Sequence, residues 1–295
     1  FQDEENGIDL SKFSFIDTMA TVVDAFNFFN DFGSPELLVD RELTDKEEDD
    51  RSIVNLLTDQ IEFADVVIIN KSDLVDKNTL DLLEAMITKL NSRAKIIKTS
   101  HSKVPLKAVI NTGLFDYDEA EQRAGWIEEL NKPEHTPETE EYGIGSFAFR
   151  SKKPFNSERF WNYIQNDFPH NVIRSKGLFW LDSRPNQAMT WGQAGGSLKA
   201  DSAGVWWSSI PMKERSNYAD FMSNQEVIEK DWDKQFGDRK NELVFIGQDL
   251  NKEKIVMELN NCLSSDNEIV NVNWESGIED SWPVQRAIPP HKQDY

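Results

Sequence analysis

The sequence predicts two successive domains: an α/β unit with a parallel sheet over residues 1–130, then an α+β layer over 145–280. Three observations carry this. Short β-branched runs alternate with segments of helical apolar spacing as far as Thr99, the pattern of a parallel sheet with crossover helices. The stretch from Asn131 to Gly143 then breaks that pattern with two prolines and a run of acidic side chains, so 131–144 reads as a linker. Beyond it, aromatic-rich strands recur with two helical segments among them, as in a mainly antiparallel sheet layered with helices.

Taken in order, Asp17 to Ala25 reads as a β-branched core strand ending in the carboxylate of Asp24. Ser34 to Asp50 is polar and acidic, a loop or an exposed helix. Arg51 to Phe63 carries Ile53, Leu56, Leu57 and Ile61 at the spacing of an amphipathic helix. Val66 to Asn70 is the next strand, Thr79 to Leu90 the next helix and Ala94 to Thr99 the next strand. This is the back half of a doubly wound α/β domain. In the second half, Ser146 to Arg150 is a strand and Asn156 to Asn166 a helix with Ser157 as N-cap. Val172 to Leu181 and Met189 to Gln193 are strands around the turn Asp182 to Asn186, with a further turn or bulge at Gly195-Gly196. Glu242 to Gln248 is a strand and Lys252 to Leu263 an amphipathic helix. The tail, 281–295, is expected to be poorly ordered.

Composition excludes several function classes. The net charge of −21 repels nucleic-acid phosphates and anionic membranes, and no basic tract interrupts it. No apolar run approaches the ~18 residues of a transmembrane helix; no signal peptide is visible, but a segment preceding Phe1 would hide one. The single cysteine, Cys262, cannot form an intrachain disulfide and fits a reducing cytoplasm. It lies beside Leu259 and Leu263, as a buried thiol would. Nine Trp and eighteen Phe are more than the first half uses, so the second domain has an aromatic core. Within it the run Gly204-Val-Trp-Trp-Ser208 is either part of that core or an exposed face for a partner.

The chemistry concentrates at Val66-Val-Ile-Ile-Asn70-Lys71-Ser72-Asp73. A buried strand runs straight into Asn-Lys-x-Asp, at the carboxyl end of a sheet strand where ligands of open α/β sheets bind. The Asp73 carboxylate can accept from the N1–H and exocyclic amine of guanine, and adenine offers no such donor pair. Asn70 can bond the base or tie neighbouring loops together, and the Lys71 stem can lie along the base plane. Thr99, Ser100 and His101 end the next strand, where they could back the base. Nucleotide hydrolysis needs more: a Gly-x-x-x-x-Gly-Lys-Ser/Thr loop for the phosphates and Mg²⁺. These 295 residues contain none.

Further segments point to a family. They are Thr21-Val-Val-Asp-Ala25, Asp59-Gln-Ile-Glu-Phe-Ala-Asp-Val66 and Asn111-Thr-Gly-Leu-Phe-Asp116 in the first half. In the second they are the segments from His135 to Ile144, Arg174 to Leu181, Trp191 to Gly196 and Gly237 to Gly247. With Asn70 to Asp73, these resemble the CobW-type metallochaperone GTPases over nearly the whole chain. The resemblance implies the C-terminal half of a doubly wound P-loop GTPase domain followed by the family's α+β C-terminal domain, ferredoxin-like or similar. It implies GTP or GDP with Mg²⁺ in the intact protein, GTP hydrolysis, and handling of zinc or cobalt for a recipient metalloprotein met through the C-terminal domain. Of the family's functional residues, the guanine-reading Asn70, Lys71 and Asp73 carry over. The P-loop, the Cys-x-Cys-Cys metal motif and the Glu-Ser/Thr-Thr-Gly switch do not, since Phe1 aligns just past the switch. No catalytic residue can be placed, and the chain as given is expected to be inactive in hydrolysis. The alternative is a non-enzymatic interaction or metal-binding module derived from a GTPase.

Two further sets stay open. His135 with Glu138, Glu140 and Glu141 offers imidazole and carboxylates to a divalent ion such as Zn²⁺, or is a solvated acidic linker. Asp24 is either a hydrogen-bond anchor or a cofactor ligand. A half sheet also leaves an apolar edge exposed, so self-association, a homodimer included, is expected.

Overall fold

The computed structural model describes residues 2–3, 8–9, 12–34, 36–41, 43–44, 51–116, 125–132, 142–275 and 277–287. Its contacts divide the chain into two units, Phe1–Glu128 and Glu129–Tyr295. Among the described residues no helix is long and apolar enough to cross a membrane.

The first unit opens with a two-residue ladder, β1 (Gln2–Asp3) against β2 (Ile8–Asp9). Its main sheet is parallel, in the order β3 (Ala20–Asp24), β4 (Val66–Asn70), β5 (Lys95–Lys98). Helices α2 (Ile53–Glu62) and α3 (Lys77–Leu90) supply the crossovers and α1 (Phe28–Phe32) follows β3. Ser52 caps α2 by accepting from the Asn55 N–H, and Asp76 caps α3 by accepting from the Thr79 N–H, each satisfying an amide the helix leaves unpaired. Val66, Val67 and Ile69 are fully buried with Ile61, Leu83, Ile87 and Leu90, so β4 is the covered centre that its unbroken apolar run implies.

The first strand is shorter than its sequence suggests. Residues 17–19 leave the ladder because the Asp17 carboxylate accepts from the N–H of Thr112 and Gly113, both at 2.8 Å, which binds this segment to the loop after β5. Between Ser34 and Asp50 there is a short 3₁₀ turn at Val39–Arg41, and 45–50 lie outside the described residues. Among the described residues β3 pairs on one side only. Val22 is 57% exposed on that strand, with Met19, Phe26 and Phe63 also exposed nearby.

The second unit begins in α4 (Gly125–Asn131), which straddles the boundary. Its five-stranded antiparallel sheet has the order β6-β10-β7-β8-β9. The strands are β6 (Ile144–Ser151), β7 (Val172–Phe179), β8 (Gln187–Ala194), β9 (Ser197–Val205) and β10 (Asn241–Gln248). Since β10 runs antiparallel to both β6 and β7, the segment β6–α5–β7, with α5 spanning Ser157–Asn166, is a split β–α–β unit of the ferredoxin-like kind. A β7–β8–β9 meander extends it. Helices α6 (Met212–Arg215) and α7 (Ala219–Lys230) follow β9, then α8 (Lys252–Cys262) and α9 (Asp266–Val270) follow β10.

One core lies between the sheet and α5 with α8. Phe160, Tyr163 and Ile164 from α5 meet Ile255, Leu259 and Cys262 from α8 over Phe147, Phe179, Trp191 and Phe245 of the strands. Phe155 and Phe160 stack at 4.0 Å. A second cluster joins Trp180, Ala188, Trp206, Phe236 and Ile269. The Arg239 guanidinium lies in it over the rings of Trp180 and Trp274, and burial there pushes its pKa down to about 10. Its N–H groups are taken by the carbonyls of Pro185 and Phe236 and the hydroxyls of Ser208 and Ser209.

Two expectations are corrected here and one open alternative is decided. The N-cap of α5 is Asn156, whose side chain accepts from the Arg159 N–H at 3.0 Å, and Ser157 is the first helical residue. Of the two readings of the Gly204 to Ser208 run, Trp206 takes the core one: it is 6% exposed and donates its indole N–H to the Gln187 carbonyl, while the half-buried Trp207 packs on Tyr218 and Phe221. The chain after Asp280 is held at least to Trp282, which is 4% exposed in the main core and donates to the Ser157 carbonyl. Residues 288–295 lie outside the described set.

Candidate functional site

At the carboxyl ends of β3, β4 and β5, three loops are tied into one surface. The strand register sets this, because Asp24 pairs with Asn70 and Ile69 with Lys98, so the three chains leave the sheet side by side. Asn70 is the clamp. Its side-chain carbonyl accepts from the Ser102 N–H at 2.9 Å and its amide donates to the Ser102 hydroxyl at 3.0 Å. Its backbone carbonyl accepts from the Ala25 N–H at 3.0 Å. Ser72 adds a second tie, donating its N–H and its hydroxyl to the Thr99 carbonyl at 3.1 and 2.9 Å. Of the two roles open to Asn70, the structure has it joining the loops.

The clamp holds strained backbone. Lys71, His101 and Ser102 have φ of 58°, 53° and 54°, a left-handed region that costs a non-glycine residue about 1–2 kcal/mol. They lie on the two loops that the clamp joins, and such strain persists where surrounding structure maintains it, as at binding sites. Asp73 follows in a 3₁₀ turn, Ser72–Leu74. It is exposed, and among the described residues no hydrogen bond or ion pair engages its carboxylate. Thr99 is buried and its hydroxyl donates to the Lys103 carbonyl, so it shapes the loop from within. His101 is exposed at the rim.

Asp24 is an anchor. One carboxylate oxygen accepts from the N–H of Phe26 and Asn27, at 3.0 and 3.3 Å. The other accepts from the Asn27 amide at 2.8 Å and the Lys71 ammonium at 2.6 Å. Partial burial alone raises its pKa, but the hydrogen bonds from Lys71 and Asn27 outweigh that and hold the carboxyl below its usual range. With four donors on two oxygens it does not fit a Mg²⁺ ligand.

The structure thus gathers Asn70, Lys71, Asp73, Thr99, Ser100 and His101 on one loop surface, joins Asp24 to them in the anchor role that the sequence had left open, and adds Ser102, which sequence reasoning left out. Ser102 lies one residue past the noted segment, and Asp24 gave no sign of meeting Lys71. The other candidates are not gathered. His135, Glu138, Glu140 and Glu141 lie outside the described residues. His170 is exposed and Cys262 is buried on α8, where burial pushes its thiol up to about 11. Among the described residues no three His, Cys, Asp or Glu side chains could hold a metal ion together.

Residues 4–98 match the CobW/HypB/UreG nucleotide-binding domain, and residues 144–263 match the cobalamin synthesis protein cobW C-terminal domain. Over 264 residues the chain is 40% identical to zinc-regulated GTPase metalloprotein activator 1 of Dictyostelium discoideum, covering 88% of this chain and 54% of that protein. It is 22% identical over 201 residues to the zinc chaperone YjiA of Escherichia coli, covering 66% of this chain and 51% of that protein. The chain therefore spans about half the length of these curated relatives. Among solved structures it matches the Zn(II)-bound YjiA GTPase from E. coli at 16% identity and a TM-score of 0.32, over 86% of this chain and 64% of that one.

Proposed function

The chain belongs to the CobW family, carrying in succession its nucleotide-binding and C-terminal domain segments, and from that premise we propose that it is part of a GTP-dependent metallochaperone that delivers zinc to a recipient protein. One observation carries the reading. The Asn70–Ser102 clamp fixes the loops at the sheet's carboxyl edge and leaves the Asp73 carboxylate open. A carboxylate so placed accepts from the two adjacent N–H donors of guanine, the Lys71 stem floors the base, and the 99–102 turn backs it.

Zinc rather than cobalt is favoured because both relatives described above are named for zinc. In this reading 1–130 form the partial nucleotide domain and 131–144 the linker, while 145–280 form the domain that meets the recipient protein and 281–295 the tail. His135, Glu138, Glu140 and Glu141 remain a candidate zinc loop in the linker. A reducing cytoplasm suits the lone Cys262, and the edge of β3 that is unpaired among the described residues supports self-association of this piece. Hydrolysis is assigned to no described residue.

The test is thermodynamic linkage between nucleotide and cargo. In the full-length polypeptide, zinc affinity measured against a chelator is expected to differ at least about tenfold between a non-hydrolysable GTP analogue and GDP, within the usual range of allosteric coupling. Zinc must then change the affinity ratio of the two nucleotides by the same factor. Equal zinc affinity in both states would overturn delivery gated by GTP and leave a binding module without turnover.

A further inference from the structure

We infer that Asp24 is a positioning residue for base recognition: it fixes the Lys71 side chain before nucleotide arrives, so that the floor of the base pocket is already built. The inference rests on the guanine reading of Asn70 to Asp73. Lys71 has a left-handed backbone, φ 58°, and a four-carbon stem whose free rotation would have to be frozen when a base stacks on it. Its ammonium is instead already held at 2.6 Å by Asp24, 47 residues earlier in the chain. The Lys71 and Asp24 side chains remain 44% and 31% exposed. A pair this exposed adds little to fold stability.

The geometry makes Asp24 suited to that task. It is the last residue of β3, fixed by its pairing with Asn70. Its other oxygen is occupied by the amides of Phe26 and Asn27, so the carboxylate cannot swing away from Lys71. The ammonium is therefore neutralised and pointed toward β3, which leaves the apolar stem, rather than a mobile charge, beside Asp73. Asp24 would touch no part of the base and would act only through Lys71.

This separates two contributions that experiment can distinguish. Asp73 discriminates between bases. Asp24, through Lys71, strengthens binding of any purine that stacks on the stem. In the full-length polypeptide Asp24→Asn, which keeps an oxygen for the Phe26 and Asn27 amides, is expected to weaken GDP about 3- to 10-fold, the cost of immobilising one long side chain. Inosine diphosphate, which keeps N1–H but lacks the exocyclic amine, should weaken by the same factor, leaving the GDP-to-IDP ratio unchanged. In a Lys71→Met background, Asp24→Asn should have no further effect. If wild-type protein does not bind GDP, the base reading itself is wrong. If GDP binds and Asp24→Asn leaves it unchanged, or weakens it equally with Met at position 71, the positioning role is overturned and Asp24 only caps its turn.

Discussion

Replacing Asp73 with Asn is expected to exchange guanine for xanthine as the preferred base in the full-length polypeptide. Guanine presents two neighbouring donors, N1–H and the exocyclic amine, and a carboxylate accepts both. Xanthine presents N1–H beside a carbonyl, and a side-chain amide offers one acceptor and one donor in the same places. In the Asp73→Asn variant the guanine amine would face an N–H₂ group, so at least one bond is lost. An unmade hydrogen bond to a charged or desolvated group costs about 1–3 kcal/mol, so GDP should weaken roughly 10- to 100-fold, and xanthosine diphosphate should gain by a similar factor. The substitution should leave stability unchanged, because the Asp73 carboxylate engages no partner among the described residues. Competition binding of the two diphosphates, with a thermal melt as control, checks both halves. Parallel loss of both diphosphates would mean that Asp73 does not face the base edge.

Asp280→Ala should strongly destabilise the C-terminal unit. Arg184 donates to both carboxylate oxygens of Asp280, at 2.8 and 2.6 Å, and to the carbonyls of Val284 and Trp282. Ser183 donates to the same carboxylate at 2.6 Å. Both charged side chains are 4% exposed. Removing one partner strands the other charge out of water, at a cost of about 3–5 kcal/mol. It would also loosen the segment that seats Trp282 in the core, so urea unfolding should show an earlier midpoint with a change in Trp emission. Replacing both residues, Arg184→Met with Asp280→Leu, should recover much of the loss. Burial raises the Asp280 pKa, but the bonds from Arg184 and Ser183 lower it further, to a net depression. A depressed carboxyl contributes stability that is present above its unfolded pKa of ~3.9 and is lost as pH falls through the folded value. The wild-type advantage over Asp280→Ala should therefore be full at neutral pH and shrink below about pH 4.

How much of this was legible in the sequence follows from the range of the interactions. Val66 to Asn70 could be read at once because a buried parallel strand needs an unbroken apolar run, and α3 because its apolar stripe is long and regular. β9 could not: Ser197–Val205 is an edge strand with mostly exposed, polar residues, so no burial pattern marks it. α7 buries only Phe221 and shows no stripe. The one-residue shift of the α5 cap reflects two adjacent good caps, Asn156 and Ser157, between which only the bond to Arg159 decides. Trp282 looked like a loose tail because its anchor is an ion pair spanning 96 residues. At the site, Asn70 to Asp73 and the 99–101 turn stood out as strand ends. Their ties, Asn70 to Ser102 across 32 residues and Lys71 to Asp24 across 47, are long-range pairings that local pattern does not encode.

Calorimetry of the full-length polypeptide with GDP and with ADP tests the central claim most directly, since the two share their phosphates and ribose and differ only in the base. Asp73 with a guanine-reading role predicts GDP tighter by about 100-fold or more, the penalty for leaving a site's polar group unpaired against the wrong base. Equal affinities would contradict it, and would leave Asn70 to Asp73 as a strand-ending turn with no part in choosing a nucleotide.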